Sequence, residues 1–168
     1  MSAPRLTTER LILRLPSEAD LPACSAYMAS ERARFTGGPV TEPMDQWRGF
    51  LAVLGHWALR GYGFFMVTLR DGTPVGRVGI INHVMWPEPE LGWHIFEGME
   101  GQGYAYEAAL AARTWAASEL GFTRLISQIH PENARSIALA ERLGATLEGE
   151  GTLLGHPCLN YRHPEVMP

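Results

Sequence analysis

The chain has 168 residues, 46% of them hydrophobic and 19% charged, which describes a folded domain of ordinary size rather than a disordered segment. A formal net charge of -4 gives no electrostatic support to nucleic-acid binding and mildly favours a cationic substrate. No run of about 18 apolar residues would span a membrane, and the scattered charges of MSAPRLTTERLILRLP are not those of a signal peptide, so a cytoplasmic protein without membrane or nucleic-acid partners is expected.

The first predicted strand is Arg10 to Leu15, stopped by Pro16. Ser17, with Asp20 three residues on, opens a helix through SEADLPACSAYMAS. Phe35 to Pro43 is a loop by its glycine and proline content. In MDQWRGFLAVLGHWALRG the residues Trp47, Phe50, Leu51, Leu54, Trp57 and Ala58 follow helical spacing, and Gly61 is placed to end that helix. Asp71-Gly72 separates two β-rich runs and signals a hairpin. Glu90 to Phe96 is a further strand. A glycine-rich loop then leads into a helix from about Gly103 to Leu120, closed by Gly121. Arg124 to His130 is a strand, Asn133 to Gly144 a short helix, and two strands around Gly155-His156-Pro157 finish the chain. Hairpins together with one strand–helix–strand crossover predict a mixed sheet with helices on its faces.

The glycines of EGMEGQGYAYEAALAARTWAASELG raise a chemical question, because glycine immediately before a stable helix costs backbone entropy. Strand, glycine loop and helix in that order form an anion site: the first helical N–H groups lack intrahelical partners, and the dipole end is positive. Gly101, Gly103 and the N–H groups from Gln102 to Tyr106 are therefore candidates to cradle a pyrophosphate. No Lys-Ser/Thr follows, so the loop is not a Walker motif. Tyr106 stands where a dinucleotide fingerprint needs a small residue, and the next strand ends in His130 rather than an acid, which disfavours NAD. Cys24 and Cys158 read as reduced thiols, and no CxxC or Cys/His cluster offers a metal site.

The run Gly101-Gln102-Gly103-Tyr104-Ala105 followed by Glu107-Ala108 resembles the acyl-CoA loop of the GNAT superfamily of N-acetyltransferases. Pro131 to Ala145, with Asn133 and Ser136 one helical turn apart, resembles a second segment of the same family. Leu11 to Leu15 and the strand Glu90-Leu91-Gly92-Trp93 resemble the branch that contains ribosomal-protein N-terminal acetyltransferases, and the likeness runs from about Arg5 to Arg162. It implies a single α/β (α+β) domain over residues 1–168, with a mixed, mostly antiparallel twisted sheet of six to seven strands and helices on both faces. It implies acetyl-CoA as co-substrate, gripped by Gly101, Gln102, Gly103, Tyr104, Ala105 and Tyr106. Asn133 and Ser136 are expected beside the pantetheine arm, and a free N–H in the stretch His94, Ile95 and Phe96 beside the thioester. The family's opening Arg/Gln is Glu100 here, which brings an acid near an anion.

Acetyl transfer from a thioester to an amine needs proton removal, oxyanion stabilisation and protonation of the leaving sulfur. Glu90 is the first candidate for general base, with His94 and His83 as alternatives, and a capping role for Glu90 stays open. Ser136 is the candidate acid for sulfur, against a plain helix-start role. Trp47, Phe50, Trp57, Tyr62 and Trp86 serve either an acceptor pocket or the core, with core favoured. The loop Phe35 to Pro43 is a candidate rim, and His156 and Tyr161 are candidate neighbours of the acceptor. The acceptor is a small-molecule amine or a protein N-terminus, and exposed final strands would allow a homodimer. The alternative to an enzyme is a non-catalytic acyl-CoA-binding module, which Glu100 favours.

Overall fold

A computed structural model describes residues 4–167. Eight strands form one sheet: β1 (Leu6–Thr7), β2 (Leu11–Arg14), β3 (Phe64–Leu69), β4 (Pro74–Ile81), β5 (Glu90–Ile95), β6 (Ile126–Ile129), β7 (Thr146–Leu153) and β8 (His156–Arg162). Their spatial order is β1-β2-β3-β4-β5-β6-β8-β7, and every neighbouring pair is antiparallel except β5 with β6. The count exceeds the expected six to seven because β1 is a two-residue edge strand, too short to carry an alternation signal.

Four α-helices cover the faces: α1 (Leu21–Ala29), α2 (Pro43–Arg60), α3 (Tyr104–Leu120) and α4 (Ala134–Arg142). Ser17 caps a short 3-10 turn, Glu18–Asp20, and α1 follows from Leu21. A second 3-10 turn, Glu31–Phe35, precedes the glycine-proline loop. Pro43 opens α2, where its missing N–H costs nothing, and Gly61 ends it in the left-handed conformation at φ 76.

Helix α3 is the crossover between β5 and β6. It presents Ala108, Ala109, Ala112 and Ala116 to the sheet, and these small side chains let it lie close to Leu11, Leu13, Phe65, Val67, Ile80 and Leu91. A buried Leu, Val or Phe contributes about 1.5–3 kcal/mol by leaving water, so this layer is the main source of stability. On the opposite face α1 and α2 enclose Cys24, Tyr27, Phe50, Met66 and Phe96. The site lies where β5 and β6 part, with α3 and α4 on one side and α1 and the 3-10 turn on the other. Among the described residues no helix is long and apolar enough to cross a membrane.

Candidate active site

Beyond β5 the chain turns through three glycines at positive φ: Gly98 (85), Gly101 (74) and Gly103 (80). Gly103 is the N-cap of α3, and the first intrahelical bond runs from Glu107 N to Gly103 O at 3.1 Å. The N–H groups from Gly101 to Tyr106 make no hydrogen bond to a described residue, so a row of donors stands open at the positive end of a 17-residue helix. A Cβ on Gly103 would meet Arg10 Nη2 at 3.3 Å besides straining the backbone. Arg10 straps this loop: its Nε donates to Glu107 Oε2 at 2.6 Å and its Nη1 to Gln102 O at 2.8 Å. Thr8 Oγ1 donates to Glu107 Oε1 at 2.6 Å, and the Arg10 guanidinium lies 4.7 Å from the centre of the Tyr104 ring.

These donors open into a groove of about 980 Å³ walled by Trp93, His94, Ile95, Gly101, Gly103, Tyr104, Ala105, Tyr106, Asn133 and Ser136, with Arg32, Arg34, Arg135 and Arg142 around it. Its open N–H cradle, its guanidinium rim and its volume suit a pyrophosphate with a long arm attached. Gln102 joins through its backbone alone, because its side chain is exposed and its carbonyl is held by Arg10. Phe96 does not join. Its N–H donates to Val75 O at 2.9 Å, and its ring lies in the α1–α2 core. The β4–β5 register, Arg77 with His94 and Gly76 with Ile95, explains the difference. N–H groups alternate between the two edges of a strand, so those of Trp93 and Ile95 face the opening while those of His94 and Phe96 face β4.

Glu100 is answered by Arg32, whose Nη1 lies 3.1 Å from Glu100 Oε1 and whose Nε donates to Ile95 O at 2.9 Å. Its own backbone N–H does most to hold the Glu100 carboxyl below its ordinary value, with burial opposing and Arg32 adding to it. The acid is therefore already paired and brings no bare charge to the cradle.

The parallel ladder of β5 and β6 ends at Glu90 with Ile126, and past that pair only side chains bridge the two strands. Glu90 Oε1 accepts from Gln128 N at 2.9 Å, while Oε2 accepts from Gln128 Nε2 at 3.2 Å and from the Trp86 indole. Ser127 Oγ donates to Leu91 O at 2.6 Å and accepts from His163 Nε2 at 2.8 Å. Burial, opposed by those three donors, pushes the Glu90 carboxyl up to about 7. The structure does not bring Glu90 to either cavity: both oxygens are engaged, and the residue is only 6% exposed.

A second cavity, about 290 Å³, lies across β5 from the cradle. It shares Tyr27, Thr36 and His94 with the groove and adds Gly37, Gly38, Asp45, His56, Phe64, Arg77 and His83. The loop after Phe35 thus supplies its rim. His94 stands at the junction, stacked on Tyr27 with ring centres 5.1 Å apart and tilted on Phe64 at 4.9 Å. Arg77 Nη2 donates to His94 Nδ1 at 3.1 Å. A guanidinium only donates, so Nδ1 is the acceptor and the ring proton sits on Nε2. Burial first, and Arg77 second, hold the imidazole well below its ordinary value, so it is neutral. It offers a donor to the junction rather than a base. His83 sits on the cavity wall, and burial also lowers it. His56 has both nitrogens in use, Nδ1 on Tyr62 O and Nε2 on Asn82 N.

Ser136 Oγ accepts from Trp93 Nε1 at 3.1 Å, which leaves its own proton free. Asn133 Oδ1 caps α4 by accepting from Ser136 N at 3.4 Å, which leaves its amide donors. Phe50, Trp57 and Tyr62 are core, Trp47 packs beside Phe50, and Trp86 holds Glu90. His156 and Tyr161 line neither cavity. Sequence reasoning missed Arg10, Arg32 and Arg77. The one signal available was the charge of Arg10 and Arg77 beside β-rich stretches, and Arg32, between Glu31 and Arg34, carried none.

Comparison with known proteins agrees with this geometry. Residues 10–146 match the family described as Acetyltransferase (GNAT) domain. The ribosomal protein uS5-alanine N-acetyltransferase of Escherichia coli is 27% identical over 159 residues, covering 86% of this chain and 79% of that protein. An acetyltransferase from Agrobacterium tumefaciens, solved by crystallography, is 41% identical, with a TM-score of 0.89 over 98% of this chain and 96% of that one. A ribosomal L7/L12 α-N-protein acetyltransferase solved with coenzyme A shares the fold at 20% identity, with a TM-score of 0.79 over 96% and 98% of the two chains. The chain belongs to the GNAT acetyltransferase family and is an acyltransferase whose acyl donor is acetyl-CoA.

Proposed function

We propose that the chain is a cytoplasmic N-acetyltransferase that moves an acetyl group directly onto a primary amine while donor and acceptor are bound together. The observation that carries this reading is the meeting of the groove and the second cavity at His94, between an anion cradle on one side and a smaller cavity that holds Arg77 and His56 on the other. Two ligands entering from opposite sides of β5 would touch there. The relatives named as a ribosomal protein uS5-alanine N-acetyltransferase and a ribosomal L7/L12 α-N-protein acetyltransferase make a protein N-terminus one acceptor class, and the size of the cavity makes a small amine the other.

Acetyl-CoA supplies an activated thioester, so the protein has mainly to position groups and handle protons. The N–H groups of Gly101 to Tyr106 bind the diphosphate. Those of Trp93 and Ile95 face the parted strands and orient the arm. His94 Nε2–H donates a hydrogen bond at the junction, where charge develops on the carbonyl oxygen. Ser136 Oγ holds a proton to give to sulfur. Glu90 braces the opening and keeps β6 at a distance from β5. An α-amine with its ordinary pKa of about 7.7–8.0 is about a tenth neutral at pH 7, so the attacking form needs no dedicated base, and the proton the nitrogen sheds as the amide forms passes through water to Ser136 Oγ as that hydroxyl gives its own to sulfur.

Thiol release from acetyl-CoA measured against a panel of amines tests the reading. Steady release with at least one amine supports transfer, whereas tight acetyl-CoA binding with no release above the amine-free rate would leave a binding module. In the same assay Ser136→Ala should lower turnover with donor affinity kept. Full activity with a lower melting temperature would assign the serine to the start of α4.

A further inference from the structure

The second cavity contains a charge without a counter-ion. Arg77 projects from β4 and is 5% exposed. Its Nη2 is held by His94, and its guanidinium lies 5.7 Å from the centre of the Phe64 ring. Its Nε is the one buried side-chain polar atom without a partner among the described residues. No described carboxylate pairs with it. Asp20 is bound to Arg14 at 2.7 Å, and Asp45, also on the cavity wall, lies 3.0 Å from Arg48. A buried cation is costly to keep unless something pairs with it, and a planar guanidinium matches a carboxylate through two parallel hydrogen bonds.

We infer that the amine acceptor carries a carboxylate, that this group enters the 290 Å³ cavity, and that Arg77 binds it so that the amine lies toward His94. This rests on the transferase reading above and adds the substrate class to it. The cavity is at the lower end of ligand-pocket sizes, which suits an amino acid or the first residues of a peptide. The carboxylate is then either the main-chain group of a free amino acid or an acidic side chain next to a peptide N-terminus. Asp45 at the mouth does not compete for Arg77, because it lies beside Arg48. His94 would be fixed at the same time, since one N–H of Nη2 holds its ring while the other terminal N–H groups of the guanidinium hold the ligand.

The test compares each acceptor with its own amide. Alanine against alaninamide reads a main-chain carboxylate, and Ala-Asp-NH2 against Ala-Asn-NH2 reads an acidic side chain. The wild type should prefer the carboxylate member of at least one pair by tenfold or more in kcat/KM, mostly through KM. In Arg77→Gln that ratio should fall to about one, and Arg77→Lys should keep part of it. A ratio cancels any loss of activity common to both members. Equal use of both members by the wild type, or a preference that survives Arg77→Gln in protein with an unchanged melting temperature, overturns the inference. Calorimetry with N-acetylalanine and its amide, and with acetyl-Ala-Asp-NH2 against acetyl-Ala-Asn-NH2, makes the result independent of turnover for both carboxylate sources. If no amine is acetylated at all, the transferase reading fails. Binding of the carboxylate member over its amide in either pair, lost in Arg77→Gln or weakened in Arg77→Lys, would still uphold the carboxylate site, and no such difference in both pairs would end it.

Discussion

The groove and the second cavity share Tyr27, Thr36 and His94 yet are built from different materials. The groove's anion cradle is main chain, a row of N–H groups at the start of α3 with glycines at positive φ before it. The polar groups of the cavity are side chains, Arg77, His56 and His94, set by the cross-strand register of β4 and β5 and by α2. A backbone site keeps its chemistry when most side chains change, whereas a side-chain site is rewritten by one substitution. A constant donor and a variable acceptor are what such a division allows.

The sharpest way to break this comparison is at the junction. His94→Ala should cut turnover by about a hundredfold, the usual scale for losing one donor to a developing oxyanion, with acetyl-CoA affinity within about threefold of wild type. His94→Gln, which can accept from Arg77 and still donate, should recover part of the loss. Unchanged kinetics in His94→Ala would place the reacting atoms elsewhere.

Glu90 tests whether the brace is separate from both cavities. Its carboxyl rises to about 7 in the folded protein from about 4.3 unfolded, so the folded state holds the proton more tightly. The resulting stability is complete below about pH 4.3 and is lost as pH rises through about 7, on the order of 3 kcal/mol in all. Glu90→Gln should flatten that slope in denaturant titrations at a series of pH values, with turnover within about threefold. A hundredfold loss of turnover would instead make Glu90 the proton acceptor.

Gly103→Val should weaken acetyl-CoA binding by at least about tenfold, ~1.4 kcal/mol, because the new Cβ crowds Arg10 and strains the loop. Undiminished calorimetric affinity in folded protein would show that the cradle is not the diphosphate site. The smallest effect is expected at Glu100. Glu100→Gln removes one partly exposed ion pair and should change donor affinity by less than about threefold. A gain of tenfold would mean that the acid faces the phosphates after all.

What was legible in the sequence was local. Glycines, caps and 3.6-residue spacing announced α2, α3 and α4, and the glycine loop, Asn133 and Ser136 all line the larger groove. The illegible part depends on register and distance along the chain. Alternation placed Glu90 and His94 on one face of β5 but could not say that Glu90 would be claimed by Gln128 and Trp86 while His94 opened onto two cavities. Nor could it say which edge each N–H faces, which is why Ile95 serves the groove and Phe96 does not. Arg77 and His94 meet only because β4 and β5 pair with that offset. Arg32 reaches Glu100 across 68 positions, beyond any local pattern.

The strap on the glycine loop bears on the order of folding. Arg10 and Glu107 are 97 positions apart, and their contact joins the strand that lies next to the sheet edge to the first turn of α3. Closing so long a segment is entropically costly, so it forms only after β2 has found β3 and α3 has settled on the sheet. The anion cradle is therefore a late product of assembly, and affinity for acetyl-CoA reports on the whole domain rather than on the loop alone. A fragment beginning after Arg10 would keep every glycine of the cradle and still lack the tether that holds them in place, and donor binding would favour the complete fold by mass action.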